Sequence, residues 1–365
     1  DFPAYGAFNL TPAEIAAAVA GQTDASGALL NPPGALVQIN HVTGGLGHFD
    51  NLKIDTSLEP PVSALSPAEL LAKRLDPAAG DLFSRFEALE LWNGASRGAQ
   101  ATFLGARIGI WMNLLNQGLR TTFIADTDTH DFLALESAGA VTWTASPSDR
   151  PDEIDPLQVT EAVRAGRAVG GQGLHVRARL READDPANQA GFEAGGSVDL
   201  QTDGDGAVEL VIRVQAPVWA AFDAVEIYAN APTVVTGSRG GVPVLFSAEP
   251  TLTLRAGTDF VLPDPIGVHP GVPGAERRDL ELVVPFDLDE DTWFVALARG
   301  TEGVSPPLFP YFPKDLRRAG NDTLDDLLDG NLGEDGVLAL GVTNALWADV
   351  DGVPGFQAPG VRLVP

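Results

Sequence analysis

Between Thr122 and His130 the chain reads Thr-Phe-Ile-Ala-Asp-Thr-Asp-Thr-His, an apolar, β-branched run that stops abruptly in an Asp-x-His pair. A carboxylate and an imidazole delivered at the C-terminal mouth of a strand are suited to hold a divalent metal. Residues two apart on an extended chain point the same way, so Asp128 and His130 are expected to face one site. The chain holds five histidines, and the scarcity gives their placement weight. His41 closes a second apolar run, Val37-Gln38-Ile39-Asn40-His41. Glu90 and Asn93 close a third, Glu90-Leu91-Trp92-Asn93-Gly94. A Glu inside an apolar strand is costly unless paired or metal-bound. The plainer reading of each residue is a hydrogen-bonded structural group at a strand end.

The elements that must position these residues alternate in type through the first half. Thr11-Pro12-Ala13-Glu14 is a capping box with Pro at the first helical position, and Ser66-Pro67-Ala68-Glu69 and Asp155-Pro156-Leu157-Gln158 repeat the device. A further helix is expected from about Ala99 to Gln117, with Leu104, Ile108, Trp111 and Leu115 on one face and Gly118 at its end. Between the helices lie apolar runs at Ala35–Ile39, Phe86–Trp92, Thr121–Ala125 and Ala140–Trp143, each of a length for a buried parallel strand. This is the pattern of an α/β domain, barrel or doubly wound. Past Gly170-Gly171-Gln172-Gly173 the period changes to two. Val208, Leu210, Ile212 and Val214 alternate with Glu209, Val211, Arg213 and Gln215. Further strands are expected at Val225–Tyr228, Thr251–Leu254, Leu280–Val284, Trp293–Leu297 and Val337–Leu340. This half reads as an antiparallel β-sandwich. The boundary falls at 173/174, giving an α/β domain over 1–173 and a β-sandwich over 174–365.

The net charge of −27 makes nucleic acid a poor partner, since binding it needs clustered Lys and Arg, and it disfavours anionic membranes. No apolar run reaches the length of about 18 residues needed to span a bilayer, so no membrane insertion is expected. Cysteine is absent, which removes disulfides, thiolate zinc sites and cysteine nucleophiles together. There is no Gly-x-Ser-x-Gly elbow, no phosphate-binding loop of the Walker type and no His-Glu-x-x-His helix. His48 and His269 read as loop residues, and His175 as opening a strand at the domain junction. Asp203-Gly204-Asp205-Gly206 and Asp349-Val350-Asp351-Gly352 lack the closing Glu of a calcium loop and read as turns, the second with room for a structural cation. Trp219, Trp293 and Trp347 fit either a carbohydrate-binding sandwich or its core.

Taken in order, these pieces resemble the PHP (polymerase and histidinol phosphatase) superfamily of metallohydrolases, and most closely its CehA/McbA-like branch. The resemblance rests on Asn40-His41-Val42, on Glu90-Leu91-Trp92-Asn93-Gly94, on Trp111 with Leu115-Asn116-Gln117-Gly118, and on Thr127-Asp128-Thr129-His130. Val163–Arg167 with the glycine cluster looks like the branch's closing helix and Gly-rich turn. Thr343-Asn344-Ala345 through Asp349-Val350-Asp351-Gly352 is similar to its terminal signature. The resemblance implies a distorted (β/α)7 barrel whose mouth holds two or three divalent metals, Zn, Mn or Fe. The implied reaction is hydrolysis of a phosphoester, or a related ester or carbamate, by metal-activated water. By resemblance His41, Asp128 and His130 occupy ligand positions, with Glu90 and Asn93 beside them. The branch's first ligands would come from strands before Asp1, and Ala7 stands where a histidine is expected. The metal site is therefore expected to be incomplete in this chain. An N-terminal segment of the same protein would complete the barrel, and a small-molecule ester would be the substrate. The alternative is a degenerate, non-catalytic binding or structural protein. The absent initiator Met and the sandwich point to an extracytoplasmic location, periplasmic, surface or secreted.

Overall fold

The computed structural model describes residues 36–44, 47–73, 75, 86–129, 139–193, 195–202, 204, 206–268, 275–308, 337–353 and 355–364, with a few isolated positions before residue 29. Over these residues the fold is α/β in its first part and β-rich thereafter. Three parallel strands, Gln38–Ile39, Ala88–Asn93 and Thr122–Asp126, form a small sheet in that order. They are the strands that carry the candidate chemistry. Ala88–Asn93 is buried along nearly its whole length, as a parallel strand covered on both faces must be. Its pairing with Thr122–Asp126 is interrupted between Glu90 and Trp92, where a bulge re-aims the strand end.

Two larger sheets follow. One runs in the order Asp199–Gln201, Leu346–Asp349, Thr292–Arg299, Leu340–Thr343, Ala168–Gln172, Val141–Thr144, with Ala224–Ala229 also paired to Thr292–Arg299. The other runs Ile266–Gly267, Glu276–Asp287, Ala207–Pro217, His175–Glu182, Gln189–Gly191. The period-two pattern is realised in His175–Glu182 and Ala207–Pro217, where Val176, Ala178, Leu180, Leu210, Ile212 and Val214 are buried. A single continuous apolar core joins Trp92, Trp111 and Phe123 of the first half to Val176, Leu210 and Trp293 of the second.

Several expectations need correcting. The run Ala140–Trp143 is not a buried parallel strand. Val141–Thr144 pairs antiparallel with Ala168–Gln172, is half-exposed and belongs to the larger sheet. The glycine cluster is not a turn after a helix, because Gly170–Gln172 lie in a buried strand. Glycine is needed there for close approach: a Cβ on Gly170 would come within 2.3 Å of the Phe123 ring. The expected boundary at 173/174 falls beside a strand that pairs with Leu340–Thr343, so residues before and after it share one sheet. The long helix is interrupted, with α-helix over Arg97–Thr102, π-helix over Phe103–Arg107 and α-helix over Ile108–Asn116. The last of the expected strands is displaced to Leu340–Thr343 from Val337–Leu340, and Leu346–Asp349 follows it.

The local signals that hold are those with a mechanism. Ser66 caps Pro67–Ala72 with both halves of its capping box formed. Asp155 caps Pro156–Arg164 by accepting the Leu157 N–H at 2.9 Å, and Gly166 in the left-handed region closes that helix. The capping box at Thr11 lies outside the described residues.

Candidate metal centre

The three parallel strands end side by side, and their C-terminal ends bring four titratable groups together. His41 follows the first strand, and its backbone N–H donates to Glu90 Oε2 at 2.5 Å. Its ring nitrogens face two carboxylates: Nδ1 lies 3.3 Å from Glu90 Oε2 and Nε2 lies 3.8 Å from Asp128 Oδ2. Glu90 is 1% exposed, while the His41 side chain is 52% exposed, so the carboxylate forms the floor and the imidazole the rim. Asn93 donates to the other oxygen of Glu90 at 3.1 Å. His41 and Asp128 both adopt positive φ, +51° and +48°, a conformation rarely held by residues other than glycine. Such backbone strain collects where side chains must be aimed.

Asp128 lies beside His41, as the sequence reading expects. The strand ends at Asp126, and Asp128 sits beyond it in the left-handed region rather than on the extended strand. His130 lies outside the described residues, as do Ala7 and His269. What the turn does accomplish is to bring Asp128 near Asp126, whose own carboxyl hydrogen-bonds Glu90. Burial pushes Asp126 up to about 7; the Glu90 charge and the shared hydrogen bond add to this, and a bond from the Asp128 backbone N–H opposes it. Oδ1 of Asp126 is buried with no partner. Asp126 is the residue that sequence reasoning missed. Its signal is its register, since it pairs opposite Asn93 and its carbonyl accepts the Gly94 N–H at 2.8 Å.

Arg107 is the second missed residue. It closes the π-helical turn, a distortion frequent at functional sites. From there it donates to Thr43 Oγ1 at 2.9 Å and to the Leu91 carbonyl at 3.3 Å, tying the loop after His41 to the Glu90 strand. Burial pulls its basicity down, and the neighbouring Glu90 and Asp50 charges oppose that pull.

Asn344 acts from the far end of the chain. Its buried side chain accepts the Phe123 N–H at 2.6 Å and donates to the carbonyls of Phe123, at 3.1 Å, and Ala168, at 2.8 Å. It substitutes for a neighbouring strand along the Asp126 strand. Asn116 plays a similar part between the halves, bonding the Ala231 carbonyl at 3.0 Å and the Trp293 indole at 2.9 Å.

The remaining candidates separate cleanly. His48 opens the short helix His48–Leu52, with its ring beside Phe49. His175 begins a strand and packs edge-on against Trp143. Asp349 and Asp351 gather with Asp291, ligand atoms within 4.8 Å of one another. Asp291 accepts N–H groups from Val350 and Gln357, and Asp349 accepts that of Gly355, the bonding expected of a turn. Trp293 and Trp347 are core residues, whereas Trp219 is exposed.

One imidazole and three carboxylates, a donor set of the kind a divalent cation takes, lie near one another at the strand mouth, and one carboxylate oxygen lacks any partner. His41 turns Nδ1 to Glu90 and Nε2 to Asp128, so these two carboxylates flank opposite ring nitrogens, and among the described residues only Asp291, Asp349 and Asp351 bring three ligand atoms within 4.8 Å of one another. In comparison with known proteins, the chain matches no family model, no curated protein and no solved structure.

Proposed function

We propose that the chain is a metal-dependent hydrolase of the PHP type, acting on a phosphoester or a related ester or carbamate. The observation that carries the reading is the convergence of His41, Asp126 and Asp128 over the buried Glu90. In this reading the three parallel strands belong to a distorted barrel, and the two larger sheets form an antiparallel sandwich behind it. His41, Asp126 and Asp128 would hold a divalent Zn, Mn or Fe ion, together with His130 by the family resemblance. The cation would supply Lewis acidity to the ester and lower the pKa of water. Glu90 does not need to touch it. By accepting the His41 N–H and the Asn93 amide, it fixes the imidazole and holds the negative floor of the site. Arg107 keeps the His41 loop seated on the Glu90 strand.

One observation favours a second reading, a non-catalytic binding or structural protein. Both oxygens of Glu90 are already engaged within the chain, as in a purely structural network. Metal content and turnover separate the two. The full chain, purified without chelator, is expected to retain Zn, Mn or Fe and to hydrolyse bis(p-nitrophenyl) phosphate, with both lost in His41→Ala. Absence of metal together with absence of turnover would leave the structural network standing and overturn the hydrolase reading.

A further inference from the structure

A cavity of about 520 Å³ opens where the two larger sheets meet, and no residue of the metal centre lines it. Val141 and Trp143 reach it from the edge strand of one sheet. Ala216 and Arg277 reach it from neighbouring strands of the other, with Trp219 and Val268 just beyond strand ends. The chain has six tryptophans, and four of them, Trp92, Trp111, Trp293 and Trp347, are at most 3% exposed. The other two, Trp143 at 37% and Trp219 at 47%, both line this cavity. A single exposed apolar side chain needs no explanation, but two indoles left open around one concavity of this size mark a small-molecule pocket.

The polar groups in the walls decide what kind of molecule fits. Arg277 donates to Asp279 at 3.2 Å, and its Nε–H is buried out of a ligand's reach. Asp279 is held in turn at both oxygens by Arg213, so this cluster is satisfied within the protein. Burial and the Arg177 charge hold His175 below its ordinary value, which leaves the imidazole neutral at pH 7. Glu276 is exposed, and an ion pair to a hydrated carboxylate contributes little. A charged ligand would therefore leave water without a desolvated counter-charge to meet it. A sugar would need several vacant hydrogen-bonding groups, and the Gln215 amide is already engaged by Asp279 and His175.

We propose that this cavity binds an uncharged, flat aromatic molecule of one or two fused rings, packed against Trp143 and Trp219. Indoles offer a large apolar surface and pair with other rings in offset or edge-on arrangements, as Trp143 already does with His175 at a centroid distance of 5.3 Å. Such a ligand asks for no polar partner that the walls lack.

Three indoles of nearly one shape test the assignment by calorimetric titration of the full chain: tryptophol, which is neutral, indole-3-acetate, an anion, and tryptamine, a cation. Cellobiose serves as the sugar probe. Tryptophol is expected to bind with a stoichiometry of one and at least about tenfold more tightly than either charged counterpart, because each of those buries an unpaired charge. Trp219→Ala should weaken tryptophol by about fivefold or more, and Trp219→Phe should restore most of the loss. Val268→Lys places a cation at an exposed position of the wall and should improve indole-3-acetate relative to tryptophol. Thermal melts of each variant establish that it is folded. The proposal is overturned if tryptophol does not bind, if a charged counterpart or cellobiose binds more tightly to the parent chain, or if the folded Trp219 variants bind tryptophol as the parent chain does.

Discussion

Asp126 shows what a single buried carboxyl does to this molecule. Its ordinary value is 3.8 and its folded value is about 7, so within that window the folded chain binds more protons here than the unfolded chain does. Stability contributed by this site therefore falls as pH rises from about 4 to 7. Asp126→Asn should stabilise chelator-treated protein at pH 8 by on the order of 1 kcal/mol, partial exposure screening the rest, and should have little effect at pH 4. Urea unfolding at the two pH values checks this. Asn344→Ala has the opposite character. It leaves the Phe123 N–H and two carbonyls without their buried partner, and a loss of about 2–4 kcal/mol in urea unfolding is expected. At this scale the sequence was partly legible. His41 and Glu90 stand out because each breaks or ends an apolar run, and Asp128 because it forms an Asp-x-His pair with His130. Asp126 does not, because it reads as the last residue of its strand, and its importance comes from Glu90 on the neighbouring strand. Arg107 was hidden by a π-helical turn that no periodicity announces.

Element packing turns on close approaches. Gly109 lies on Ile108–Asn116 against Val242–Ala248, where a Cβ would stand 2.3 Å from the Ser247 carbonyl oxygen and 2.7 Å from Phe246. Gly109→Ala should cost about 1–3 kcal/mol despite alanine's better helix propensity, because the obstruction is backbone. A thermal melt reads the sign: a gain in stability would contradict the packing. On the outer sheet, the Arg213 hydrogen bonds hold Asp279 down to about 2. A depressed carboxyl contributes stability above its unfolded value, which is lost as pH falls from about 4 toward 2. Asp279→Asn should cost about 1–2 kcal/mol at pH 7 and progressively less through that window, as chemical denaturation at graded pH would show. Strand identity was readable from composition here, but strand direction was not. Val141–Thr144 resembles a buried parallel strand in residue type, and only its pairing with Ala168–Gln172 sets it antiparallel in the other sheet.

Among the described residues one large apolar core spans both parts of the chain, beside a small cluster of Ala88, Ile124 and Val163, and the chain carries a large excess of negative charge. Because Trp92, Phe123, Leu210 and Trp293 belong to one continuous cluster, and Asn116 and Asn344 bridge its halves, calorimetry should show one cooperative transition. Self-repulsion at −27 opposes compactness, so that transition should move to higher temperature as salt shortens the Debye length from about 30 Å at 0.01 M to about 3 Å at 1 M. The two-part pattern of the sequence reflects a real change in strand period. It does not reveal the shared sheet, because pairing across residue 173 depends on strands near residue 340. The most direct test of the proposed metal centre is element-specific anomalous diffraction from crystals grown with Mn²⁺. The account predicts a peak bonded to the His41 imidazole and the carboxylates of Asp126 and Asp128; no peak there, with His41 left paired to Glu90 alone, would contradict it.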